Sequence, residues 1–223
     1  MPKLLDLFCG AGGCSVGYHR AGFEVVGVDI NPMPRYPFRF IQDDALEYVV
    51  KHGVEFDAIH ASPPCQRYTV GKSIHGSGTN HADMVGPCRE LLEQSGNPWV
   101  MENVIGAPLR NPVMLCGQMF GLGVLRHRLF EANFLLMTPT HPRHPAGKTT
   151  GTLTAKRGGR GNGYSTGEHG LVCVAGNNFI KEAGARAMGI DWMSRKELAQ
   201  AIPPAYTEYI GRQLLNVLNA RSA

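Results

Sequence analysis

Short apolar runs alternate with amphipathic ones along the first hundred residues, and each run ends on glycine, proline or an acid. Lys3-Leu4-Leu5-Asp6-Leu7-Phe8 has the pattern of a strand and runs into Cys9-Gly10-Ala11-Gly12-Gly13, after which Ser15 to Ala21 reads as a helix stopped by Gly22. Glu24-Val25-Val26-Gly27-Val28 is a second strand ending in Asp29. Phe40-Ile41-Gln42-Asp43-Asp44 is a third, and it feeds a short helix from Ala45 to His52 closed by Gly53. Phe56-Asp57-Ala58-Ile59-His60 is a buried strand that Ser62-Pro63-Pro64 must end, because proline cannot donate to a sheet ladder. Asp83 is placed to cap a helix through Gln94, and Asn97-Pro98 leads into the strand Trp99-Val100-Met101. Near the carboxyl end, Asn178 to Met188 and Ser194 to Ala201 read as helices. Pro203-Pro204 starts a last helix through Asn219, with Tyr206, Ile210, Leu214 and Val217 on one face for core packing. Strand, turn and helix in this order predict an α/β chain of doubly wound, Rossmann-like type.

Composition narrows the class. A chain of 223 residues that is 43% hydrophobic suits one α/β domain, taken here as 1–223. Lys and Arg exceed Asp and Glu by 22 to 18, a net +4 that permits an anionic partner without requiring one. No apolar run approaches a membrane span, and Met1-Pro2-Lys3 leads straight into a strand, so the expectation is a cytoplasmic protein with no membrane contact. Cys9, Cys14, Cys65, Cys88, Cys116 and Cys173 include no Cys-x-x-Cys pair, which predicts free thiols and no metal.

Candidate chemistry gathers where strands end. Glycines after the first strand let the backbone approach a cofactor, and Asp29 is placed to accept from a ribose diol. The Gly-x-Gly-x-x-Gly fingerprint is incomplete at Cys14-Ser15, which favours a cofactor without pyrophosphate. Asp44 is placed either to accept from an adenine amino group or to cap the helix that follows it. In Ala61-Ser62-Pro63-Pro64-Cys65-Gln66 the two prolines fix the backbone that presents Cys65, the candidate nucleophile. Arg67 to Asn80 is rich in Gly, Ser, Thr and His and reads as a lid. Glu102 stands at the end of a neighbouring strand.

Taken in order, Asp6-Leu7-Phe8-Cys9-Gly10-Ala11-Gly12-Gly13, Pro63-Pro64-Cys65-Gln66, Glu102-Asn103-Val104, Arg126-His127-Arg128 and Gln200-Ala201-Ile202-Pro203-Pro204-Ala205-Tyr206 resemble the motif series of the DNA cytosine-5 methyltransferases. The resemblance spans the chain except Met137 to Val174. It implies an S-adenosylmethionine-dependent methyltransferase fold and S-adenosyl-L-methionine as cofactor, held by Phe8, Gly10 and Gly12, with Asp29 on the ribose, Ile30 against adenine, Asp44 on the adenine edge and Pro64 lining the pocket. It implies that Cys65 adds to C6 of a cytosine flipped out of double-stranded DNA, that Glu102 holds N3 and the amino group, and that Arg128 and Arg126 hold O2. No obligate protein partner is evident.

Three positions depart from that family's pattern. Val124 replaces a glutamine, Gln200 replaces an asparagine, and the recognition region is a short insert at 138–175. Within that insert Lys156, Arg157 and Arg160, interleaved with glycine, suit phosphate contact. Three alternatives remain at this level: a tRNA cytosine-5 methyltransferase of the same family, a catalytically silent nucleic-acid binder, and a nicotinamide oxidoreductase.

Overall fold

The computed structural model describes residues 1–68, 82–144, 171–176 and 179–221. Five parallel strands form its centre: β1 (Lys3–Leu7), β2 (Glu24–Asp29), β3 (Arg39–Gln42), β4 (Ala58–Ala61) and β5 (Trp99–Asn103). β6 (Val113–Leu115) and β7 (Arg128–Ala132) complete a seven-stranded sheet in the order β3-β2-β1-β4-β5-β7-β6, with β7 antiparallel to both neighbours. Helices α1 (Gly13–Ala21), α2 (Ala45–His52), α3 (Val85–Gln94), α4 (Lys181–Met188), α5 (Arg195–Gln200) and α6 (Pro204–Arg221) follow in chain order. The doubly wound α/β expectation is met.

The period-two alternation of each strand sorts its side chains onto two cores. Leu5, Leu7, Val26, Val28, Ile59, Ala61 and Met101 pack under Tyr48 and Val49 of α2 and Val85, Cys88 and Leu92 of α3. Leu4, Val25, Ala58 and Val100 face Tyr18 of α1 and Tyr206, Ile210 and Leu214 of α6. A third cluster joins Ala11 of the glycine turn to Val124, Val172, Phe179, Met188, Ile190, Met193 and Leu198.

The two strands beyond β5 escape the sequence pattern because β7 carries a charge inward. Glu131 is 4% exposed and meets Arg89 of α3 in a two-pronged pair at 2.6 and 2.7 Å, while the Arg110 amide donates to the same carboxylate at 2.7 Å. β3 also stops two residues before the expected Asp44, because Asp44 opens α2 instead. Asn178, Lys156, Arg157, Arg160, and most of the expected lid and insert lie outside the described residues.

Candidate active site

β1 leaves the sheet through a turn with left-handed torsions at Phe8 (φ 58), Gly10 (φ 50) and Gly12 (φ 85). A side chain on Gly10 would project into space with no atom within 4 Å, so the turn presents bare backbone to open space. The Gly10 amide donates to Asp29 Oδ2 at 3.1 Å, and Asp29 Oδ1 accepts from the Asn31 amide at 2.9 Å, which binds the second strand end to the turn. Ile30 beside it is 65% exposed, an apolar surface left open at the rim. Asp44 Oδ1 accepts from the Leu46 and Glu47 amides at 2.8 and 3.0 Å, so the helix-capping reading of this residue is realised. Backbone, carboxylate and apolar face together suit an adenosyl group without pyrophosphate.

The turn is clamped from the far end of the chain. Trp192 Nε1 donates to the Ala11 carbonyl at 2.8 Å and Thr207 Oγ1 to the Cys14 carbonyl at 2.8 Å. Gly13 lies so close to Ile202 that a Cβ would strike the Ile202 main chain. The Ile202-Pro203-Pro204 segment thus packs against the start of α1 just beyond the turn.

Cys65 follows β4 and Glu102 lies near the end of β5, and the two strands are neighbours. Asn103 Nδ2 donates to the Pro63 carbonyl at 2.9 Å, fixing the proline turn to the strand that carries Glu102. Arg128 at the start of β7 pairs with Glu102, Nε to Oε1 at 3.0 Å, and its Nη1 donates to the His127 carbonyl at 2.8 Å. Arg126 is turned to structural use: Nη1 donates to the Val174 carbonyl at 2.6 Å and Nη2 to the Ala199 carbonyl at 2.8 Å. Its buried Nε has no partner among the described residues.

Beneath Glu102 lies a polar chain that the sequence pattern does not reveal. Tyr18 Oη is 2.9 Å from His60 Nδ1, His60 Nε2 is 3.0 Å from Ser62 Oγ, and Ser62 hydrogen-bonds Glu102. Burial pushes His60 down to about 3, so the ring is neutral. With the Ser62 hydroxyl donating to the carboxylate, its oxygen accepts from His60 Nε2–H and Nδ1 accepts from Tyr18. In that tautomer all three point their donors towards Glu102. Close by, Asp6 of β1 is wholly buried, accepting from Ser15 Oγ through Oδ2, while Oδ1 has no partner among the described residues. Burial raises it from 3.8 to about 7. A histidine or aspartate inside an apolar strand announces burial only once the register is known.

Burial raises the proton affinity of Glu102 against the opposing pull of Arg128 and Arg126. Burial and the neighbouring Glu102 likewise raise Cys65, outweighing Arg128 and Arg126. The two arginines pull the thiol the other way but do not dominate, and the resting thiol keeps its proton.

The spacing of the cysteines carries no metal motif, but four ligand-type side chains come together in the fold. Cys116, His127, His141 and His144 bring their ligand atoms within 4.8 Å of one another. These positions are scattered along the chain and meet only when β6 and β7 pair. No cysteine is in a disulfide.

A family model described as "C-5 cytosine-specific DNA methylase" matches residues 2–110. The Type II methyltransferase M.HgiGI of Herpetosiphon aurantiacus is 33% identical over 122 residues, a match covering 48% of this chain and 94% of that one. This chain belongs to the C-5 cytosine-specific DNA methylase family. The Type II methyltransferase M.FnuDI of Fusobacterium nucleatum is 32% identical over 81 residues, covering 33% of this chain, and the chain spans only 24% of that relative's length. Among solved structures, the Dnmt2 methyltransferase of S. pombe shares the fold at a TM-score of 0.67 and 14% identity, over 98% of this chain and 99% of that one. A protein of an E. coli prophage gives the same TM-score of 0.67 at 17% identity, covering 98% and 100%. The fold of this family, with its glycine turn and acidic strand ends, supports S-adenosyl-L-methionine as cofactor. No helix of the described residues is long and apolar enough to cross a membrane.

Proposed function

We propose that this chain transfers a methyl group to C5 of cytosine in double-stranded DNA through a covalent bond between Cys65 and C6. The single observation that carries the reading is the convergence of Cys65, a buried Glu102 and Arg128 at the ends of adjacent strands, beside a turn suited to an adenosyl group. S-adenosylmethionine, when bound, supplies an electrophilic methyl group. Phe8, Gly10 and Gly12 would hold it through the turn, Asp29 would accept from the ribose, Ile30 would cover adenine, Asp44 would offer Oδ2 to the adenine amino group, and Pro64 would line the pocket.

Cytosine C5 is a poor nucleophile until sulfur adds to C6. Glu102, whose proton affinity burial raises, would take up a proton from water as the base enters and donate a hydrogen bond to N3, and Arg128 would move its guanidinium from Glu102 to O2 of the flipped base. Both contacts draw electrons toward the ring as the C6–S bond forms. Because the Cys65 thiol holds its proton at rest, that proton must pass to water as attack occurs. C5 then takes the methyl group. Transfer of the C5 proton to water and return of the C6–S electrons to sulfur would restore the ring and free the enzyme. Arg126 would act mainly through Arg128, since two of its nitrogens already serve main-chain carbonyls. Flipping the base costs a few kcal/mol, which contacts from Glu102 and Arg128 would offset.

DNA carrying 5-fluorocytosine tests this directly, because fluorine at C5 blocks the elimination that releases sulfur. The wild type should form a covalent adduct and Cys65→Ser should form none. An adduct that persists in Cys65→Ser would remove Cys65 from the mechanism. RNA run alongside decides between DNA and the tRNA alternative: adduct on RNA alone would move the substrate assignment.

A further inference from the structure

Outside the Cys65 and Glu102 pocket, four side chains without a part in the proposed chemistry converge on one point. Cys116 follows β6 and is fully buried, His127 immediately precedes β7, and His141 and His144 lie in the segment that follows β7. His144 Nε2 lies 2.9 Å from His127 Nε2, His127 Nε2 lies 3.2 Å from His141 Nε2, and Cys116 Sγ lies 3.7 Å from His144 Nε2.

Hydrogen bonding among these groups does not account for such spacing. His144 Nδ1 is 2.6 Å from Gln118 Oε1, an acceptor, so Nδ1 carries the proton and Nε2 of the neutral ring offers only a lone pair. His127 Nε2 has at most one proton for two short contacts. Either that proton is shared between two nitrogens, or one contact sets lone pair against lone pair. A cation at the centre removes the conflict. A tetrahedral ion with nitrogen at about 2.0–2.1 Å and sulfur at about 2.3 Å has edges of about 3.3 Å between nitrogens and about 3.6 Å between sulfur and nitrogen. The three separations given above fall around those edges, and the other three lie within 4.8 Å, so metal uptake would draw the four ligand atoms slightly closer.

We propose that Cys116, His127, His141 and His144 form a structural zinc site. Three imidazoles and a thiolate are borderline-to-soft donors, which select zinc over magnesium or calcium, and four protein ligands leave no open position for catalysis. Cys116 would bind as the thiolate and release its proton on metal uptake. Gln118 holds the His144 ring from outside, fixing the tautomer that presents Nε2. The site would do two things. His127 stands between Arg126 and Arg128, so the metal would pin the strand that brings Arg128 to Glu102. His141 and His144 would tie the chain leaving β7 back to β6, giving the insert a fixed root.

Untagged full-length protein, purified and dialysed against metal-free buffer, should retain about one zinc per chain by elemental analysis. Cobalt(II) exchanged into it should show the intense visible bands of a tetrahedral ion together with thiolate-to-cobalt charge transfer. Cys116→Ala should lose the charge-transfer band, and His144→Ala should lose most bound metal. Gln118→Ala, which leaves all four ligands in place, should weaken metal affinity by about ten- to a hundredfold. Chelation should lower the Tm of wild type more than that of His144→Ala. If Cys116→Ala fails to fold, the wild-type cobalt spectrum and the Gln118→Ala affinity still decide. A wild-type chain that neither retains zinc nor takes up cobalt in tetrahedral form, or ligand variants that bind as tightly as wild type, would overturn the site.

Discussion

Asp6 sits in the middle of β1 with neither face open to water, and its chemistry follows from that position. Between its ordinary 3.8 and about 7 the folded chain holds a proton that the unfolded chain has released. Stability from this group therefore declines as pH rises across that window, at a rate no steeper than about 1.4 kcal/mol per pH unit. Asp6→Asn keeps an oxygen for Ser15 and cannot ionise, so its melting temperature should fall less between pH 4 and pH 8 than that of wild type. Equal slopes would assign the effect elsewhere. At Cys65 the corresponding lever is Glu102, whose negative charge helps hold the thiol up. Glu102→Gln should therefore speed alkylation of Cys65 at neutral pH, read against Cys65→Ser, while methyl transfer falls by about two to four orders of magnitude. Slower or unchanged alkylation would mean that burial alone raises the thiol. Cys65, Glu102 and Asp29 are legible in the sequence because strand ends and breakers mark them. Tyr18, His60 and Ser62 are not, because they come together only when α1 packs on the sheet.

Helix α1 is held to α6 by the absence of side chains. A Cβ on Gly17 would run into Thr207 Oγ1 and the Pro204 carbonyl and stand 2.7 Å from the Glu208 amide nitrogen. Since two of these are main-chain atoms at a helix start, they cannot move without displacing α6. Gly17→Ala should destabilise by about 1–3 kcal/mol, the range for an overfilled core, and loosen the packing of Ile202 against the start of α1. Gly86→Ala makes the matched control on α3, where a Cβ meets nothing within 4 Å and the gain in helix propensity should leave stability unchanged or raised by about 0.5–1 kcal/mol. Similar losses for both variants, by thermal unfolding, would show that glycine is needed for reasons other than this close approach. The parallel strands and α1, α2 and α6 follow from periodicity and breakers. β6 and β7 do not, since Glu131 spends its charge on Arg89 inside the fold and Arg126 spends its own on two carbonyls. Neither buried pairing is visible in the sequence, because each joins segments far apart along the chain.

For the molecule as a whole, the proposed function leaves the insert at 138–175 to supply what contact with DNA the catalytic pocket does not. Phosphate contacts give affinity without sequence information, whereas each base pair read directly requires a side chain at its edge and contributes about 1–3 kcal/mol of discrimination. A short insert with Lys156, Arg157 and Arg160 among glycines has many cations for phosphates and few side chains for base edges. The expected target is therefore about two to four base pairs, loosely read. Replacing the three cations by alanine should weaken binding to all sequences nearly equally and lower the slope of log affinity against log salt by up to about 0.9 for each phosphate no longer neutralised. Binding measured over a salt series, with methylation mapped by sequencing, checks both halves. A strictly read site of about six base pairs, or a triple variant that moves methylation to a new sequence at unchanged affinity, would show that these cations read bases rather than backbone.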